Sequence, residues 1–191
     1  MESRLPEMEQ STADWENRAT LLNMRAALAE TRHRLGEAES SYRESLALWK
    51  QHARDKNSAI VLMNLSHVLS EMKRYQNGLD AMMEALAILE KLDATVHPLV
   101  ILSLDHAGSL YMKLRRPADA GTAYNRSLRM AETTFGAEHI LTCAIMLRYS
   151  AALRALGQHD QAKVLAGKAK TMLGRSKERL TVDVHELAGF R

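Results

Sequence analysis

The sequence predicts an all-α fold of stacked helical hairpins, and three observations carry that expectation. Among 191 residues there are two Phe, two Trp and five Tyr against eleven Met, a composition suited to helices that pack on small and flexible side chains. Alternating β-branched runs are missing, "LTVDVHEL" at 180–187 coming nearest to one, so strand patterning has no hold. Third, the chain repeats itself at an offset of 42 residues. Small residues coincide at Ser66, Gly108 and Ser150, and larger apolar ones at Leu69, Tyr111 and Leu153. Further columns join Gly78, Ala120 and Ala162, then Met82, Tyr124 and Ala166, then Ala85, Ser127 and Ala169. A fourth copy lies upstream at an offset of 40, with Ala26, Ala29, Ala38, Tyr42 and Ser45.

The columns have a steric cause. Where two antiparallel helices cross, a residue of Gly, Ala or Ser size lets the backbones approach until larger neighbours interlock. The pattern sets four hairpins, at about 15–52, 57–92, 99–134 and 140–173. In the second, Leu62, Leu65 and Leu69 fall at helical spacing on one helix and Met82, Leu86 and Leu89 on the other. In the third, "KLRRP" is the turn between helices. Pro117 suits the first turn of the following helix, and Lys113, Arg115 and Arg116 are expected in the last turn of the preceding one, complementing its dipole. Neither helix of a hairpin can bury its apolar stripe alone, so the hairpins must stack.

The ends read differently. Residues 1–13 are polar and acidic with no apolar stripe, and disorder is expected there. Residues 14–173 form the repeat region. In 174–191, Gly174 can close the last helix, and Leu180, Val182, Val184, Leu187 and Phe190 are suited to cap the open end of the stack as a strand or a further helical turn.

Composition also excludes functions. Net charge is +3, and the basic excess lies towards the C-terminus with almost no aromatics to stack bases, so nucleic acid is not expected as the partner. No apolar run approaches the roughly 20 residues that span a bilayer. The acidic start does not resemble a secretory signal, and the single Cys143 suits a reducing compartment, so a cytoplasmic location is expected. No phosphate-binding glycine loop or zinc-ligand spacing occurs, and no cofactor is expected. Asp105 and His106 diverge by about 100° as helix neighbours, which argues against a catalytic dyad. Cys143 has no placed base. A metal site would need His67 and Glu71, one turn apart, to converge with His106. Polar surface is the commoner use of such spacing, so no metal ligand is assigned. No enzyme is expected.

The columns Leu104, Ala107, Gly108, Tyr111, Ala120 and Tyr124 resemble the tetratricopeptide signature. The period of 42, His97-Pro98, Phe135-Gly136 with His139, and Asn64-Leu65-Ser66 are similar to the longer repeats of kinesin light chains. The resemblance covers about residues 15–173 and implies a tetratricopeptide-like α-α solenoid, a right-handed superhelix whose concave face is lined by the first helix of each hairpin. It implies a non-enzymatic scaffold or adaptor that holds a partner protein's peptide or helix in that groove. The alternative is a structural or assembly subunit that uses the outer face and the ends. In register, Asn23, Asn64, His67, Glu71, Asp105, His106, Ser109, Lys113, Arg148 and Arg154 are expected on the groove. In the kinesin light chain-like pattern an asparagine at the Asn64 column contacts ligand backbone. His67, His106, Lys113, Arg148 and Arg154 give the surface a cationic tendency suited to acidic segments, partly offset by Glu71 and Asp105. Oligomeric state stays open.

Overall fold

The computed structural model describes the backbone over residues 5–52, 56–92 and 98–188, and side chains over 14–52, 56–92 and 98–175. Among the described residues eight helices follow in order: α1 (Leu5–Thr31), α2 (Leu35–His52), α3 (Lys56–Glu71), α4 (Tyr75–Lys91), α5 (Pro98–Lys113), α6 (Pro117–Phe135), α7 (Ile140–Ala155) and α8 (His159–Ala188). They fall into two compact units, residues 1–95 and 96–191, each made of two consecutive hairpins. The inner hairpin boundaries agree with the sequence expectation to within one or two residues. Among the described residues there is no strand.

In the first unit α1 packs on α2, α2 on α3 and α3 on α4. Ala26 and Ala38 are fully buried, which leaves room for Tyr42 to bury its ring. At the second crossing the Ser66 hydroxyl donates to the Gly78 carbonyl at 2.7 Å. Trp15 of α1 meets Trp49 of α2 edge-on at 5.1 Å and stacks on His52 at 4.4 Å. The second unit repeats the plan with α5 on α6, α6 on α7 and α7 on α8. One column shows how literal the repetition is. Ser45 donates to the Ala19 carbonyl at 2.7 Å, and Ser127, in the same column, donates to the Ile101 carbonyl at 2.8 Å. Each serine thereby ties the second helix of its hairpin to the first.

All four turns within hairpins are built alike. His33, Lys73, Arg115 and Gly157, equivalent by repeat spacing, have φ of 55°, 61°, 59° and 76°. The next N–H bonds back across the turn: Arg34 to Ala29 O, Arg74 to Leu69 O, Arg116 to Tyr111 O and Gln158 to Leu153 O, at 2.8–2.9 Å. This left-handed closure satisfies carbonyls that the helix end would orphan. Helix α5 therefore ends at Lys113, and Arg115 and Arg116 belong to the turn rather than to its last helical turn. Arg116 stands at the N-cap position of α6 without a side-chain bond to the helix end, donates to Asp119 at 2.8 Å and lies 4.8 Å over the Tyr111 ring. Pro117 opens α6 as the sequence implies.

Between α6 and α7 the chain turns at Gly136, φ 86°. His139 caps α7 by accepting from Leu141 N at 3.2 Å, and its ring stacks on Phe135 at 4.9 Å. A capping histidine thus starts α7 at Ile140.

The outer helices are longer than expected. Helix α8 passes through Gly174 to Ala188, so neither a stop at Gly174 nor a strand at 181–187 forms. The neighbours "TML" and "RSKER" are mostly good helix formers and outweigh the roughly 1 kcal/mol a mid-helix glycine costs. Whether the tail side chains cap the stack falls outside the described residues. Helix α1 already covers 5–13, where disorder is expected from sequence, with Pro6 in its first turn. The side chains of 5–13, and residues 1–4 altogether, lie outside the described residues.

Candidate partner-binding faces

In each unit the first helices of consecutive hairpins touch, α1 with α3 and α5 with α7. Four of the residues assigned to the groove from sequence pair across these contacts, Asn23 with Asn64 and Asp105 with Arg148. In the first unit, Asn64 Nδ2 donates to Asn23 Oδ1 at 3.3 Å, both side chains being half-buried. His67 Nδ1 lies 2.6 Å from Glu30 Oε1. The buried Tyr42 hydroxyl donates to the other Glu30 oxygen at 3.0 Å, and burial, with Glu30 beside it, pushes the phenol pKa well above its ordinary value. Glu71 completes a group: one ligand atom each of Glu30, His67 and Glu71 lie within 4.8 Å of one another. Glu30 takes the place that the sequence reading gave to His106 beside His67 and Glu71.

In the second unit, Arg148 holds Asp105 with two hydrogen bonds, Nε to Oδ1 at 2.7 Å and Nη2 to Oδ2 at 2.6 Å. Burial raises the Asp105 pKa, and the bonds and charge of Arg148 only partly offset this. Ser109 shares a hydrogen bond with Tyr124 OH at 3.0 Å, so its hydroxyl is turned into the hairpin. His106 is half-buried, while Lys113 and Arg154 are exposed towards the ends of their helices.

The two inter-helix pairs are one contact made twice. Asn23 is in the repeat column of Asp105, and Asn64 in that of Arg148. The same positions carry an amide pair in one unit and an ion pair in the other.

This geometry corrects the cationic tendency inferred from sequence. Arg148 is neutralised by Asp105 and His67 faces Glu30, so the first-unit face carries the carboxylates of Glu30 and Glu71, and exposed cations are left at Lys113 and Arg154. Glu30 was the residue that sequence reasoning missed. Its signal was there, since it shares a column with Arg154. Catalytic chemistry gains nothing: Asp105 is tied to Arg148, and the buried Cys143 thiol is pushed up by desolvation, away from the thiolate.

The tetratricopeptide repeat family model matches residues 57–132 and 99–173. No curated protein sequence is significantly similar to the chain. Among solved structures, the chain is similar to BtubC (BKLC) from P. vanneervenii, with a TM-score of 0.79 at 16% identity over 83% of this chain and 64% of that one. A putative kinesin light chain with nearly identical TPR-like repeats from Podosopora anserina gives 0.74 at 16% identity, over 84% and 77%. The apo form of RapI gives 0.74 at 12%, over 85% and 58%. The chain thus spans about two thirds or less of BtubC and RapI. These likenesses share the fold, an all-α array of tetratricopeptide-like hairpins with repeats like those of kinesin light chains.

Proposed function

Because this chain belongs to the tetratricopeptide repeat family, we propose that it is a non-enzymatic protein-binding scaffold whose first-helix faces hold an extended segment of a partner. The observation that carries this reading is the Asn23–Asn64 pair. One amide–amide bond of 3.3 Å uses a single donor and a single acceptor, while the two amides together offer four donor hydrogens and two acceptor oxygens. An amide so placed reads peptide backbone without selecting a side chain. Exposed Lys113 and Arg154 add an attraction for acidic residues in the second unit. A cytoplasmic location accords with the single buried cysteine, and among the described residues no helix is long and apolar enough to cross a membrane.

The test is a selection of extended peptides from a display library, followed by affinity measurement on the unaltered chain and on Asn23→Ala/Asn64→Ala. Loss of affinity by tenfold or more at matched helicity supports the reading, and equal affinity removes it. A second reading has its own observation. Leu21, Met24 and Leu28 are 65%, 62% and 50% exposed along one side of α1, an apolar stripe that suits end-on assembly with another protein.

A further inference from the structure

We propose that Glu30, His67 and Glu71 form a divalent transition-metal site, of Zn²⁺ type, that clips α1 to α3. The donor set is one imidazole nitrogen and two carboxylates from two helices, with ligand atoms within 4.8 Å of one another. Around Zn²⁺, nitrogen and oxygen ligands stand at about 2.0–2.2 Å, which places neighbouring donors roughly 3.3 Å apart in a tetrahedron. His67 Nδ1 and Glu30 Oε1, at 2.6 Å, need to part by less than an ångström for an ion to sit between them. Glu71 follows His67 by one helical turn, so both side chains rise from the same face of α3. Both are exposed and can adjust.

A feature outside the three donors sets this apart from a chance surface cluster. Tyr42 is 1% exposed, and its hydroxyl fixes Glu30 by bonding Oε2 at 3.0 Å, which leaves Oε1 turned towards the imidazole. A ligating carboxylate oriented by a buried hydrogen-bond donor is the usual outer arrangement of a metal centre. The imidazole discriminates against Mg²⁺ and Ca²⁺, which prefer all-oxygen shells. Three protein donors leave one position of a tetrahedron for water or for a donor atom of a partner. The proposal stands independently of peptide binding in the groove.

The experiment is calorimetric titration of the full, tag-free chain with Zn²⁺ and, separately, with Mg²⁺, alongside melting curves. One Zn²⁺ per chain is expected, with a rise in Tm and no response to Mg²⁺. His67→Ala and Glu71→Gln, exposed positions whose helicity is checked by circular dichroism, are expected to weaken binding at least tenfold and to abolish the Tm rise. Tyr42→Phe, which keeps the ring, is expected to weaken it by about 10–100-fold as outer-shell changes do. His159→Ala, on an exposed histidine of α8, leaves binding unchanged. Absence of Zn²⁺ binding, or binding that persists in His67→Ala, overturns the site. Unchanged affinity in Tyr42→Phe overturns the positioning role of Tyr42.

Discussion

Tyr124 packs its ring so close to Gly108 that a Cβ at position 108 would stand 2.6 Å from ring carbon Cε1. A glycine inside a helix ordinarily costs about 0.5–1 kcal/mol relative to alanine, so Gly108→Ala would stabilise a free helix. Here the sign reverses. Overpacking at a tight crossing costs about 1–3 kcal/mol, and Gly108→Ala is expected to lower stability within that range, with Gly108→Leu lower still. The equivalent crossing in the first unit pairs Ser66 with Met82, both buried. Gly108→Ser with Tyr124→Met is therefore expected to regain part of the loss, as urea unfolding would reveal. An unchanged midpoint for Gly108→Ala would contradict the close approach.

The Asp105–Arg148 pair predicts a pH dependence whose sign can be worked out. Burial raises the Asp105 pKa in the folded chain, so folding disfavours the ionised form. The contribution of this group favours the folded state most below the ordinary aspartate pKa, and that advantage is lost as pH rises through the raised value. Arg148→Ala removes the partner of a carboxylate whose side chain is only 13% exposed, and raises that pKa further. Because Arg148 itself is 39% exposed, the loss is discounted to about 1–2 kcal/mol at pH 7. It is expected to shrink at pH 4, where Asp105 gains a proton. Denaturation at the two pH values checks this, and a loss that grows on acidification would refute it. Arg148→Glu sets two like charges together and is a poor probe of partner binding for that reason.

Much of the fold was legible because its cause is local and periodic. Small residues at Ser66, Gly108 and Ser150 announce the crossings, and Pro117 announces a helix start. The left-handed turn column was hidden, since His33, Lys73 and Arg115 stand where glycine is the usual signal and only Gly157 has it. At the site, Asp105, Arg148, Asn23 and Asn64 were each assigned to first helices from sequence, but their pairing was not legible, because each bond joins one column to the next. Glu30 escaped because it meets His67 across 37 residues, a separation outside the period of 40 or 42. The continuation of α8 beyond Gly174 escaped because a glycine near a repeat end reads as a stop.

The same turn column yields a stability prediction. A left-handed conformation costs a non-glycine residue about 1 kcal/mol or more, part of which glycine returns through its freer unfolded chain. Lys73→Gly and Arg115→Gly are each expected to stabilise by about 0.5 kcal/mol. Gly157→Ala is the converse. Nothing lies within 4 Å of a Cβ there, so its expected loss of about 1 kcal/mol is conformational alone. Thermal unfolding of the three variants measures both signs.

The exposed stripe on α1 separates the two functional readings. Leu21→Glu, Met24→Lys and Leu28→Glu replace side chains that are already half or more in water, so the fold is expected to hold, with surface changes costing within about 0.5 kcal/mol each. If the first-helix faces bind the partner, the triple variant keeps its affinity for selected peptides within twofold, while Asn23→Ala/Asn64→Ala loses it. End-on assembly predicts the reverse. Charging the stripe would then abolish recovery of the complex or shift the mass in solution, with the amide variant indistinguishable from the unaltered chain. Light scattering and peptide titration on the same two proteins distinguish these outcomes, and the second pattern would move the binding function from the groove to the end of the array.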